Sequence, residues 1–195
     1  GQAGYLTGGA SGNLSTLFGS MQTVPLKVMD GVSCVSIGLD HMAALRSDGS
    51  LWAWGNSFDG QVGSGVGYVP YTEADYQTIV YSPVKVLDGV AAVSCGDSFT
   101  AAVRTDGTVW TWGLGDLGQL GNGECGAVSG TRTMQSRPVK VLDGARTVAC
   151  GGSHAAAIKT DGSLWMWGAL GSGGSVNDCQ SVPVKVMDNV AAVSC

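Results

Sequence analysis

The residues able to do chemistry are few, and most of them recur at fixed intervals. His41 and His154 are the only imidazoles. They sit in Gly38-Leu39-Asp40-His41 and Gly151-Gly152-Ser153-His154, and between these comes Gly96-Asp97-Ser98-Phe99. A metal ligand or general base cannot be exchanged for a phenyl ring within a repeated site. Both histidines are therefore expected to be structural, bonding the backbone. Asp48, Asp106 and Asp161 each precede a glycine, and Asp is favoured there for conformational reasons. No Ser/His/Asp or Cys/His set stands apart from the repeat. The expectation is a non-enzyme with no catalytic, cofactor-binding or metal-ligating residues and no cofactor.

The six cysteines divide in two. Cys95, Cys150 and Cys195 occupy equivalent places where Ile37 stands in the first unit, and Cys34 aligns with Ala92, Thr147 and Ala192. Apolar substitutes mark these four as small buried hydrophobes. Cys125 and Cys179 fall instead in corresponding variable loops, and they are the pair expected to bond if the compartment is oxidising. No Cys-x-x-Cys spacing exists for zinc.

The elements that hold these residues are repeated phrases. Ser47-Asp48-Gly49-Ser50-Leu51-Trp52-Ala53-Trp54-Gly55 returns at 105–113 with Asp106, Trp110 and Trp112, and at 160–168 with Asp161, Trp165 and Trp167. These six are all the tryptophans. Asp-Gly between apolar alternations predicts a hairpin with a type I′ turn. Trp-x-Trp places both indoles on one face of a strand, because the side-chain period is two. A second phrase, Pro-x-Lys-Val-x-Asp, begins at Pro25, Pro83, Pro138 and Pro183. Proline near a strand start predicts an outer edge strand. The apolar run after each phrase predicts a strand buried on both faces. Four strand signals per unit and no helical period predict an all-β fold of radially repeated four-stranded antiparallel sheets, that is, β-propeller blades.

The run from Asp88-Gly89-Val90 through Trp110-Thr111-Trp112-Gly113 to Gly118-Gln119-Leu120-Gly121 resembles the RCC1 (regulator of chromosome condensation-like) repeat, in its bacterial propeller form. Gly60-Gln61-Val62-Gly63 and Gly1-Gln2-Ala3-Gly4 carry the same Gly-Gln-x-Gly. The third unit departs, with no Gln after Trp167-Gly168. The resemblance implies one array over 1–195: a partial repeat at 1–30, full repeats at 31–88, 89–143 and 144–188, and a partial one at 189–195. Since that family closes seven blades, the expectation is a fragment of a longer propeller or a subunit that joins copies through its open blade edges.

Function is bounded rather than specified. Charged residues are 13% and the net charge is −5, with no basic stripe for phosphates, so nucleic acid is excluded as a partner. No apolar run is long enough for a membrane span. Low charge with abundant Ser, Thr and Gly points to a secreted or surface bacterial protein, and Asn13-Leu14-Ser15 is a glycosylation sequon. The longest connection, after Gly55, carries Phe58, Tyr68, Tyr71, Glu73, Asp75, Tyr76 and Tyr81. Insertions of this kind collect on one face of a repeat array, and tyrosine supplies contact area at low entropic cost. These seven are the candidate protein-contact loop. The leading expectation is an interaction or scaffold module. The alternatives implied by the resemblance are a nucleotide-exchange regulator of a small GTPase and an inhibitor-type propeller binding an enzyme.

Overall fold

The computed structural model describes residues 24–67, 78–126, 132–170 and 179–195. Among the described residues, twelve strands form three antiparallel sheets, each a simple meander. Blade 1 contains β1 (Val32–Ile37), β2 (His41–Arg46), β3 (Leu51–Asn56) and β4 (Ile79–Leu87). Blade 2 contains β5 (Val90–Cys95), β6 (Phe99–Arg104), β7 (Val109–Leu114) and β8 (Met134–Leu142). Blade 3 contains β9 (Ala145–Cys150), β10 (His154–Lys159), β11 (Leu164–Ala169) and β12 (Cys179–Met187). The chain is all-β, an arc of four-stranded propeller blades.

The core lies between blades, not within them. Ala43, Leu45 and Ala53 of blade 1 pack against Val90, Ala102 and Trp112 of blade 2. One blade further on, Ala101, Val103 and Val109 pack against Ala155, Ala157 and Trp167. The pattern follows from the strand period. Alternate residues of β6 face opposite neighbours, so alanine on both sides lets the sheets approach while one tryptophan per blade fills the gap. Trp112 and Trp167 are fully buried. Burying an indole removes roughly 150–250 Å² from water, an upper-bound gain of about 4–6 kcal/mol each.

The Asp-Gly hairpins are not type I′. Gly49, Gly107 and Gly162 have positive φ, whereas Asp48, Asp106 and Asp161 do not. Gly49 N–H donates to Arg46 O and Arg46 N–H to Ser50 O, both at 2.9 Å. This is a three-residue loop, a type I turn closed by a left-handed glycine. The aspartate selects it through its side chain: Asp48 Oδ1 accepts from Ser50 N–H at 2.9 Å and from Ser50 Oγ at 2.6 Å. Ser50 Oγ in turn accepts from Trp52 Nε1 at 3.0 Å. The Asp–Thr–Trp set at 106, 108 and 110 and the Asp–Ser–Trp set at 161, 163 and 165 repeat the relay. These bonds to the ionised form hold all three carboxyls below the usual Asp range.

Three further expectations are corrected. Pro83, Pro138 and Pro183 lie mid-strand in β4, β8 and β12, which begin upstream of them. These are the edge strands, and a register irregularity spans each proline, so the missing N–H breaks no ladder. The inner strands are not buried on both faces: β1 is largely exposed, with Ile37 at 63%. Each inner strand pairs along one edge only, and among the described residues β1 has a neighbouring blade on one side only. For the same reason Cys34 and Cys195 are exposed, while Cys95 and Cys150 are buried. Burial pushes the Cys95 thiol up to about 11 and raises Cys150 further.

Candidate protein-contact face

The Asp-Gly hairpins at Asp48, Asp106 and Asp161 gather at one end of the sheets. Thr105 N–H donates to Gly89 O at 2.8 Å and Val90 N–H to Gly49 O at 2.9 Å, tying successive turns together. The opposite end carries the β1–β2, β5–β6 and β9–β10 turns and the corners that follow β3 and β7. There the inner strands end around an open cavity of about 410 Å³, lined by Ile37, Leu39, Cys95, Asp97, Cys150 and Cys195 among others. The long connections emerge at this same end.

The Gly-Gln-x-Gly corner makes that end rigid. Gln61 Oε1 accepts from Asp59 N–H at 2.8 Å, folding the corner on itself. The Gln61 carbonyl then reaches blade 2, accepting from Trp112 Nε1 at 3.0 Å and Thr100 Oγ1 at 2.9 Å. Gln119 repeats this toward blade 3, taking Leu117 N–H at 2.8 Å on its side chain and Trp167 Nε1 at 2.9 Å on its carbonyl. Gly63 has φ +79°, and a Cβ there would stand 2.7 Å from Trp112 Nε1. Only glycine permits this close approach. The motif is thus an inter-blade staple, a role the sequence reading did not give it although the motif itself was visible.

His41 bonds a side chain, not the backbone as expected. Its Nε2 lies 2.8 Å from Thr100 Oγ1. The single Thr100 hydroxyl proton goes to Gln61 O, so the network assigns the proton of the imidazole to Nε2. Burial holds His41 down at about 4. The exchange of His and Phe in this place has a packing cause. A Cβ at Gly38 would lie 2.6 Å from His41 Nδ1, one at Gly96 2.5 Å from Phe99 Cδ1, and one at Gly151 2.6 Å from His154 Nε2. Any flat ring that stacks beneath the turn glycine fits. Among the described residues, no three His, Cys, Asp or Glu side chains are grouped to hold a metal ion.

Of the candidate loop, Tyr68, Tyr71, Glu73, Asp75 and Tyr76 lie outside the described residues; so does Asn13. The structure separates the other two. Tyr81 is exposed on edge strand β4. Phe58 sits at the corner with the Arg132 guanidinium 5.0 Å from its ring centroid, while Arg132 forms an ion pair with Asp59. One boundary further on, a disulfide joins Cys125 and Cys179, with Cα atoms 6.5 Å apart. Corner-to-outer-strand clasps therefore close both boundaries, one ionic and one covalent. Nothing in the sequence pairs Arg132 with Asp59, because the pair does not recur: Leu117 stands in the next corner where Asp59 stands in the first.

Blades, relays and staples with this period agree with the sequence comparison. The family model for the regulator of chromosome condensation (RCC1) repeat matches residues 48–103 and 106–158. The chain belongs to the RCC1 repeat family. A second RCC1 repeat model matches 32–61, 90–119 and 145–173, one match per blade. Arabidopsis thaliana RCC1 domain-containing protein RUG3, mitochondrial, is 35% identical over 173 residues, which is 85% of this chain and 37% of that protein. Human WBSCR16 has a similar fold, with a TM-score of 0.66 at 23% identity over 84% of this chain and 42% of that one. Prp20p from Saccharomyces cerevisiae, described with its binding to Gsp1p and histones, also has a TM-score of 0.66, at 20% identity over 84% of this chain and 41% of its own. The chain thus spans well under half the length of these RCC1 relatives. Among the described residues, no helix is long and apolar enough to cross a membrane.

Proposed function

We propose that this RCC1-repeat propeller chain is a non-enzymatic protein-interaction module that contacts its partner through the loop end of the blades. The observation that carries this reading is the Gln61–Trp112 and Gln119–Trp167 pair of staples, which tie neighbouring blades together at the end from which the longest connection leaves β3. Rigid scaffolds that present variable loops are the usual bearers of binding function. The Cys125–Cys179 disulfide at the same end supports an oxidising, extracytoplasmic setting and a secreted or surface protein.

The test is partner capture by the chain and by a variant with Tyr68, Tyr71 and Tyr76 changed to Ser. A partner lost from that variant, yet kept when Asp88 and Asp143 at the far end become Ala, supports the loop end as the contact. Retention by the triple variant overturns it. A second reading, exchange activity on a small GTPase, is favoured by the fold shared with Prp20p, which binds Gsp1p. Accelerated nucleotide release from a GTPase would replace the first reading with this one.

A further inference from the structure

Asn122-Gly123 is the one Asn-Gly pair in the chain, and it lies in the corner of blade 2. An asparagine side chain is open to attack by the backbone nitrogen of the residue that follows it. Glycine in that second place removes the side chain that would obstruct the approach, so the amide is chemically labile. Gly123 is exposed, with φ +93° and nothing within 4 Å of where a Cβ would stand. The carbonyl under attack is already polarised, because Glu124 N–H donates to Asn122 Oδ1 at 3.2 Å. Asn122 Nδ2, the nitrogen that has to leave, donates to Glu124 Oε2 at 3.0 Å.

What restrains the pair comes from blade 3. Gly123 N–H donates to Ser181 O at 2.8 Å, so the attacking nitrogen is held in place. Beside this bond, the disulfide joins Cys125, just after Gly123, to Cys179, just before Ser181. The first boundary has the same hydrogen bond, from Gly65 N–H to Ser136 O at 2.8 Å. There, however, Ser64 stands in the place of Asn122, and Gly67 and Met134 stand in the places of the two cysteines. The labile amide and the covalent clasp thus occur at the same boundary.

We propose that Asn122 is a site of spontaneous deamidation whose rate is set by the Cys125–Cys179 clasp. Water is the only co-reactant. The Gly123 nitrogen gives up its proton and bonds to Asn122 Cγ, the Cγ–Nδ2 bond breaks, and Nδ2 leaves with a proton as ammonia. Water then opens the succinimide at one carbonyl or the other, leaving aspartate or isoaspartate at position 122. Either product puts a carboxylate where an N–H donor faced Glu124, and like charges at this spacing repel. Isoaspartate also lengthens the main chain by one carbon, which shifts the Gly123 N–H relative to Ser181 O. The modification therefore loosens the boundary between blades 2 and 3 at the loop end, and the intact clasp delays it. The site does not depend on the function proposed above.

The test is to age the folded chain and two disulfide-free variants in mildly alkaline buffer. One variant is Cys125→Ser with Cys179→Ser. The other is Cys125→Gly with Cys179→Met, which rebuilds the pair found at the first boundary. Near-ultraviolet circular dichroism of the tryptophans checks native packing, and peptide mapping by mass and chromatography counts the aspartate and isoaspartate products. Conversion is expected at Asn122 ahead of Asn56 and Asn189. It should be at least about threefold faster without the disulfide, the factor that one hydrogen bond contributes. A synthetic peptide of residues 117–124 sets the unrestrained rate, and the parent should lie at least about threefold below it. Asn122→Ser, which imitates Ser64, should keep its fold and give no product there. Faster conversion in a folded disulfide-free variant supports the proposal. Equal rates in the parent and such a variant, a parent as fast as the peptide, or no product at Asn122 in any of them overturns it.

Discussion

Trp112 Nε1 donates to the carbonyl of Gln61 at 3.0 Å across the boundary between blades 1 and 2, and Trp167 and Gln119 repeat the contact at the next boundary. One indole thus does two jobs, filling the space between sheets and satisfying a buried carbonyl. Trp167→Phe should cost about 1–3 kcal/mol, because the Gln119 carbonyl is left without that donor and the pocket is underfilled. Trp165→Phe should cost less, about 1 kcal/mol, since its Nε1 partner Ser163 keeps its bond to Asp161. Urea unfolding of both variants checks the order. Equal losses would remove the staple as the cause.

His41 predicts a pH dependence with a defined window. Its folded pKa, about 4, lies below the ordinary 6.5, so the unfolded chain binds the proton first. Stability is full above about pH 6.5, falls as the pH drops toward 4, and levels off below. The contribution is on the order of 3 kcal/mol at most. His41→Phe, which imitates Phe99 of blade 2, should flatten this window relative to the parent. Thermal midpoints of the two proteins between pH 4 and 7 give the comparison, and parallel curves would count against the assignment.

The two boundary clasps predict an engineered exchange. By repeat position Gly67 corresponds to Cys125 and Met134 to Cys179, and a Cβ at Gly67 would lie 2.5 Å from Met134 Cε. Gly67→Cys with Met134→Cys should therefore form a second bond, seen as two fewer free thiols than the doubled variant otherwise has. Removing the existing bond by Cys125→Ser and Cys179→Ser should lower stability by about 2–4 kcal/mol. An unchanged denaturation midpoint would show that the loop is held by other contacts.

Asn189 is the only non-glycine residue with positive φ among the described residues, at 61°, in the place held by Gly31, Gly89 and Gly144. Asn189→Ala should destabilise by about 1–2 kcal/mol, since a Cβ without a compensating polar group strains the left-handed turn. Asn189→Gly should be neutral within about 0.5 kcal/mol. Chemical denaturation of the pair distinguishes backbone strain from loss of an Asn side-chain contact, which would make both changes costly.

Much of this protein was legible in its sequence, because a repeat restates its own physics. The Trp-x-Trp phrase gave the third strand of each blade, Asp-Gly gave the hairpin, and the absence of a helical period gave the all-β class. The turn type was misread because Asp-Gly suits two loops, and the Asp48–Ser50 bonds decide between them only once the serine is in place. The burial of Cys34 and Cys195 was misread for a different reason. Position in the repeat is silent about neighbours: Cys95 lies in a blade flanked on both sides, whereas among the described residues Cys34 and Cys195 have a neighbouring blade on one side only. Likewise Gln61, Thr100, His41 and Trp112 are far apart in the chain and chemically ordinary. Only the stacking of blade on blade brings one carbonyl, one hydroxyl, one imidazole and one indole within hydrogen-bonding reach, and so decides that the Gly-Gln-x-Gly corner holds the molecule together.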